Sequence, residues 1–164
     1  MDTAAIPLNA ISRSSEYAIR ALTYLAQGAA KGEGGGYHLA REMAAKLGIP
    51  APFLGKILQP LVNRGILDSQ RGRRGGFRLA HAPAEVTLYH IVDAEEHLGR
   101  RRQCLLGQAE CSDERACPLH DYWKGASEGF IARLAGTTLA DMVSFCQERP
   151  DSGYPCPERL SGNR

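Results

Sequence analysis

The stretch Ile66 to Ala80, ILDSQRGRRGGFRLA, decides how this chain is read. Ile66 to Ser69 and Phe77 to Ala80 are short apolar-containing runs. Gly72-Arg73-Arg74-Gly75-Gly76 joins them with turn residues, so the pattern predicts a β-hairpin. Arg71, Arg73, Arg74 and Arg78 sit on or beside the glycine turn, where a narrow loop of guanidinium groups can approach phosphates closely. From Arg64 to Arg78 there are five arginines and one acid, Asp68. The whole chain of 164 residues has a net charge of only +2, from 20 basic and 18 acidic residues. Local clustering, not the total, decides the field that a nucleic acid meets.

Working upstream, Ser12 to Gln27 reads as a helix, with Tyr17, Ala18, Ala21, Leu22 and Leu25 at helical spacing and Ser14 or Ser15 as its cap. Gly28 to Gly36 is a flexible connector and lacks the Gly-Lys-Ser/Thr ending of a phosphate cradle. Leu39 to Leu47 is a second helix, stopped by Gly48 and Pro50. Phe53 to Arg64 is a third, with Phe53, Leu54, Ile57, Leu58, Leu61 and Val62 on one face and Gly55, Lys56, Gln59 and Asn63 on the other. Pro52 suits a first helical turn. Pro60 predicts a kink or an early end, because an interior proline costs ~3 kcal/mol. Three helices followed by a hairpin give a mainly α fold, the winged helix–turn–helix, which places its third helix in the major groove of DNA and its hairpin on the adjacent backbone or minor groove. Lys56, Gln59 and Asn63 are then candidate DNA-binding residues beside the four hairpin arginines. Gln pairs bidentately with adenine, and Lys meets guanine or phosphate.

Downstream, Val86 to Glu95 is a fourth helix, capped by Thr87. Three cysteines follow at the spacing Cys104-x6-Cys111-x5-Cys117, with Pro118-Leu119-His120 immediately after. Zinc knuckles use gaps of about two to four residues. The wider gaps here suit a loop that wraps a larger group, and thiolates bind soft metals and iron–sulfur clusters. His120 lies one helical turn from Cys117 and can reach the same site. Cys146 and Cys156 read as an ordinary buried thiol and an ordinary exposed one. Leu119 to Leu134 is a longer helix with Trp123, Phe130, Ile131 and Leu134 as apolar contacts. Thr138-Leu139-Ala140-Asp141 opens a last helix to Glu148 as a capping box. The prolines at 150, 155 and 157 predict a disordered tail. The expected units are a DNA-binding domain over 8–98, a cysteine loop over 99–118, dimerisation helices over 119–148 and the tail over 149–164. Met1 to Ala10 shows no basic segment followed by an apolar run, and no stretch is apolar enough to span a bilayer. A cytoplasmic protein with reduced thiols is expected. No nucleophile–base set suggests catalysis, so an enzyme is not expected.

Taken in order, these motifs resemble the iron–sulfur winged-helix transcription regulators of the IscR, NsrR and RirA type. The resemblance runs from about Leu8 to Glu148. It rests on Ser14-Ser15-Glu16-Tyr17-Ala18-Ile19-Arg20, on Phe53-Leu54-x-Lys56-Ile57-Leu58, on Leu61-Val62-x-x-Gly65-Ile66-Leu67, on Ser69-x-Arg71-Gly72-x-x-Gly75-Gly76-Phe77-x-Leu79, and on the cysteine loop with Cys117-x2-His120-x2-Trp123. It implies a homodimer, paired through the helix from Leu119, that reads a palindromic operator in double-stranded DNA as a repressor. It implies that Cys104, Cys111 and Cys117 hold a 2Fe–2S or 4Fe–4S cluster that senses iron–sulfur status, nitric oxide or redox state. The fourth metal ligand in such proteins is a histidine at the position of His120 or an acid at the position of Glu16 of the partner subunit; both residue types are present. Pro50-Ala51-Pro52 and Gly55 depart from the family's pattern at the start of the reading helix, so no operator sequence carries over. Two other readings compete. One is a cluster-free, thiol-based redox regulator; the other is a zinc-stabilised interaction module.

Overall fold

A helix starts where a side chain can satisfy the free N–H groups of its first turn, and Ser12 does so for the longest helix by accepting from the Ser15 N–H at 3.1 Å. The computed structural model describes residues 10–32, 36–98, 104–108 and 111–156. Its elements are α1 (Arg13–Ala30), α2 (Ala40–Leu47), α3 (Ala51–Asn63), β1 (Leu67–Gln70), β2 (Gly76–Leu79), α4 (Leu88–Glu96), α5 (His120–Ala135) and α6 (Leu139–Glu148). The cap expected at Ser14 or Ser15 falls on Ser12. Ser15 is instead buried, and its hydroxyl donates to Glu96 on α4 at 2.6 Å.

α1 lies at the centre and packs against α2, α3, α4 and α6. Leu22, Leu47, Leu54, Leu58, Leu61 and Ile91 are sealed from solvent and form the middle of the core. α3 continues through Pro60 to Asn63 and does not stop there. Pro60 deprives the Lys56 carbonyl of its ladder partner, but it lies in the last turn, where little helix follows to be displaced, and Leu54, Ile57, Leu58 and Leu61 bury the helix on both sides of it. Phe53, expected on the buried face, is 60% exposed. At about 100° per residue it falls roughly 90° from the centre of the stripe those four residues form.

β1 and β2 pair antiparallel with Leu67 opposite Leu79 and Asp68 opposite Arg78. Each strand is displaced by one residue from the expected run, because Gly72 and Gly75 close the turn with a 3.0 Å backbone bond. The hairpin is anchored to the segment before α2 by two backbone bonds between His38 and Phe77, both 2.9 Å. Gly76 makes that approach possible. Its φ is +127°, and a Cβ there would stand 2.2 Å from the His38 carbonyl oxygen.

α4 and α6 start side by side. Thr87 and Thr138 cap them, and Leu139 donates to the Val86 carbonyl while Leu88 donates to that of Thr137, each at 2.9 Å. The Thr138–Asp141 capping box is complete, with bonds of 2.8 and 3.2 Å. α5 packs on α4, yet only His120 and Leu134 of its 16 residues are buried.

The chain after α6 differs from the disorder expected from residue 149. Pro150–Ser152 forms a 3-10 turn, Pro155 is buried, and the segment to Cys156 lies against α1. Arg20, 7% exposed, donates from Nε to the Pro155 carbonyl at 2.8 Å and from its terminal nitrogen to the Leu47 carbonyl. Residues 157–164 lie outside the described residues.

Candidate functional site

Two surfaces carry the chemistry. The first joins α2, α3 and the hairpin. Gly48 ends α2 in the left-handed region at φ +63°, and Ile49, buried behind it, turns the chain into α3 within three residues. This is a helix–turn–helix. Lys56, Gln59 and Asn63 are exposed along the outer face of α3, and Gln59 donates to Asn63 at 3.2 Å. Arg71, Arg73 and Arg74 are exposed at the hairpin tip. Arg78 is placed differently. Two of its nitrogens bond one oxygen of Asp68, at 3.1 and 3.0 Å, and its guanidinium lies 4.7 Å from the centre of the Tyr37 ring. It braces the hairpin across the strands.

A groove of about 760 Å³ separates the hairpin from the start of α2, lined among others by Leu39, Arg41, Gln70 and Arg73. Leu39 precedes α2 and offers no side-chain cap; its carbonyl takes the Glu42 N–H at 3.0 Å, so the N–H groups of Ala40 and Arg41, at the positive end of α2, are the ones that face an anion between Arg41 and Arg73. Arg41 gives no signal in the sequence, because it stands alone in a short helix. Phe53, exposed at the first turn of α3, stands at the edge of the buried stripe. An exposed aromatic there suits a thymine methyl group.

The second surface is the cysteine site, at the junction of the loop and α5. Cys104 is buried, and its sulfur stands 3.9 Å from that of Cys117. The sulfur of Cys111 stands 3.3 Å from Nδ1 of His120. His120 is 5% exposed, and its Nε2 lies 2.8 Å from Oδ1 of Asp113, which Lys124 holds with bonds of 2.9 and 3.1 Å. The Asp113 carboxyl is held below the usual carboxylate range, first by Lys124 and then by His120. Backbone groups of Gln108 and Leu106 lower the Cys104 thiol. Burial raises the Cys111 thiol, and the neighbouring Cys104 and Cys117 raise it further. The structure therefore brings Cys104 to Cys117 and Cys111 to His120, as two neighbouring pairs. Cys146 is buried in α6 and Cys156 is exposed. Glu16 is half-exposed on α1, away from these donors within the one subunit, with Arg20 one turn along at 3.6 Å. Asp113 and Lys124 give no signal in the sequence, since an acid and a lysine in a polar stretch carry no motif.

Three sulfurs and one imidazole nitrogen are donors of the kind that soft metals and iron–sulfur groups take. Among the described residues no three His, Cys, Asp or Glu side chains converge to hold one metal ion. They fall instead into two pairs, Cys104 with Cys117 and Cys111 with His120. Two sulfurs bound to one tetrahedral metal at about 2.3 Å stand roughly 3.8 Å apart, close to the 3.9 Å between Cys104 and Cys117.

Residues 11–144 match the family model described as Rrf2, iron-dependent transcriptional regulator. The chain belongs to the Rrf2 family of transcriptional regulators. Like its relatives, this Rrf2 protein regulates transcription by binding DNA and is not an enzyme. It is 33% identical over 134 residues to the regulator NsrR of Geobacillus kaustophilus, covering 81% of this chain and 88% of that protein. Its fold is that of CymR, the global cysteine regulator of B. subtilis, with a TM-score of 0.67 and 24% identity over 82% of this chain and 96% of CymR. It is equally that of IscR of T. potens, with a TM-score of 0.66 and 22% identity over 84% of this chain and 88% of that one. These are Rrf2 winged-helix folds, and the mainly helical body with its two-stranded hairpin agrees with them. No helix among the described residues is long and apolar enough to cross a membrane.

Proposed function

We propose that this Rrf2 protein is a cytoplasmic homodimeric repressor that binds a palindromic operator and senses iron supply, nitric oxide or redox state through an iron–sulfur cluster held by Cys104, Cys111, Cys117 and His120. The observation that carries this reading is the gathering of three thiols and one imidazole into two pairs from a single loop and the helix that follows it. The group, when bound, supplies one-electron chemistry and a site for nitric oxide. The paired donors favour a 2Fe–2S core over 4Fe–4S, and the 3.3 Å approach of His120 Nδ1 to the Cys111 sulfur favours His120 as the fourth ligand.

The chain's own residues then do the following. Cys104, Cys111 and Cys117 tie the loop to the first turn of α5 through His120. α5 presents Tyr122, 74% exposed, and half-buried Trp123, Phe130 and Ile131 to a second copy. That twofold contact sets the separation of the two α3 helices, which must match half-sites one helical turn apart. Lys56, Gln59 and Asn63 face the bases. Arg71, Arg73 and Arg74 meet phosphates, with Arg41 and the start of α2 beside them. Arg78 keeps the hairpin in shape. When the ligands are released, the loop no longer fixes α5, and the spacing relaxes.

A second reading keeps DNA binding and replaces the cluster by thiol oxidation. The Cys104–Cys117 approach of 3.9 Å and the shared fold with a cysteine regulator favour it. Anaerobic absorbance and Mössbauer spectra of protein expressed with ample iron separate the two. The cluster reading expects coloured protein whose spectrum changes in His120→Ala and persists in Glu16→Ala. Colourless, iron-free protein that still binds its operator, and ceases to bind on alkylation, would establish the thiol reading instead.

A further inference from the structure

Asp113 makes no approach to the sulfurs that any bond records, yet it is the residue that decides which nitrogen of His120 faces them. We propose that Asp113, held by Lys124, is a positioning residue that locks His120 in the Nε2–H tautomer and so aims an Nδ1 lone pair at the thiol group. The inference rests on the cluster reading above. It names the atom by which His120 would serve.

The partners of the two ring nitrogens point to one tautomer of the neutral ring. A neutral imidazole carries one N–H and one lone pair. An ionised carboxylate only accepts. Nε2 of His120 stands 2.8 Å from Oδ1 of Asp113, and a carboxylate there favours the neutral ring with its hydrogen on Nε2. Nδ1 is then the lone-pair nitrogen, and it points at the Cys111 sulfur 3.3 Å away. The ring itself is 5% exposed and cannot swing freely, whereas Asp113 is 74% exposed on its side chain and depends on Lys124 for its place. Lys124 sits one helical turn after His120 on α5, so the same helix supplies the ring and the clamp on its orienter. Carboxylates that orient metal-bound histidines in this way raise ligand basicity, and their loss weakens metal binding roughly 10–100-fold.

The test has two arms. In the first, iron-free protein labelled with 15N-histidine is studied by NMR, in wild type, Asp113→Asn and Asp113→Glu. In Asp113→Asn the Lys124 ammonium, a donor only, claims the amide oxygen and leaves the NH2 to face Nε2, so the ring hydrogen is expected to transfer to Nδ1. Asp113→Glu is expected to restore the Nε2–H form. An Nδ1–H ring in the wild type, or no change in Asp113→Asn, would overturn the proposal. In the second arm, pulsed EPR of the reduced iron-loaded protein reads nitrogen coupling to the cluster. Coupling through Nδ1 is expected in wild type, with roughly 10–100-fold weaker iron retention in Asp113→Asn. A coloured protein without histidine coupling would refute the positioning role while leaving the cluster in place. A colourless protein would refute the cluster reading itself, and the first arm would still report on the tautomer. Because Asp113 is exposed, these substitutions leave the core untouched.

Discussion

The Arg20 guanidinium on α1 bonds the carbonyl of Pro155, 135 positions away, at 2.8 Å. The same side chain reaches the Leu47 carbonyl at the end of α2 and the Glu16 carboxylate. One buried cation therefore joins the central helix, the first helix of the reading unit and the chain's last described segment. Arg20→Ala is expected to destabilise the protein by about 1–3 kcal/mol, since buried acceptors lose a charged donor. Truncation after Arg149 should overlap with it, and the double change should be less than additive. Thermal unfolding, where ~1 kcal/mol moves the midpoint by roughly 2–4 °C in a chain of this size, checks both. Fully additive losses would mean that Arg20 does not hold the tail.

Gly76 tests how the hairpin is seated. Gly76→Ala places a Cβ against the His38 carbonyl at φ +127°, a strain of roughly 1–3 kcal/mol. Helix content by circular dichroism should stay, while operator affinity falls about tenfold as the hairpin shifts. Unchanged affinity would show that the hairpin does not contact DNA.

The four hairpin arginines should separate by salt dependence. Arg71→Ala, Arg73→Ala and Arg74→Ala should each flatten the log–log salt slope of binding by about 0.9 for every phosphate the guanidinium neutralises. Arg78→Ala should instead lower thermal stability and leave the slope alone, because its guanidinium is committed to Asp68 and Tyr37. Fluorescence anisotropy across a salt series reads the difference.

Glu95 gives a pH dependence. Burial, and then the neighbouring Glu96 carboxylate, push its carboxyl up to about 7 from 4.5. Among the described residues its Oε1 has no hydrogen-bond partner. A raised acid binds its proton more tightly in the native state, so its contribution lowers stability as pH rises from about 4.5 to 7. Glu95→Gln should therefore stabilise the protein at pH above that window, by of order 1 kcal/mol once solvent screening of a half-exposed group is allowed for. It should do nothing below the window. Denaturant titrations at the two ends of the range measure it.

Some of this is legible in the sequence and some is not, for physical reasons that differ by residue. The Thr138–Asp141 box and the Thr87 cap are local, so spacing along the chain reveals them. The buried stripe of α3 follows from a period of 3.6, as does the placement of Lys56, Gln59 and Asn63. Phe53 is misplaced by its apolar type, while its spacing, about 90° from the centre of the stripe, puts it at the edge. Pro60 breaks less than its type suggests, because only three helical residues follow it and its lost bond displaces little of the helix. The docking of Pro155 on Arg20 is invisible, since proline content argues for disorder and a contact over 135 residues leaves no local trace. At the cysteine site the ligand types and order are legible. The pairing of Cys104 with Cys117, and of Asp113 with His120, depends on how the loop folds back on α5.

Anaerobic fluorescence anisotropy, with iron-loaded and iron-free protein on a duplex selected by the iron-loaded form, measures directly whether the group held by the loop governs the reading heads. The two forms are expected to differ in affinity by at least about tenfold, roughly 1.4 kcal/mol, with Cys111→Ala matching the iron-free protein. Equal affinity of the two forms for that duplex would refute control of DNA binding by the cluster.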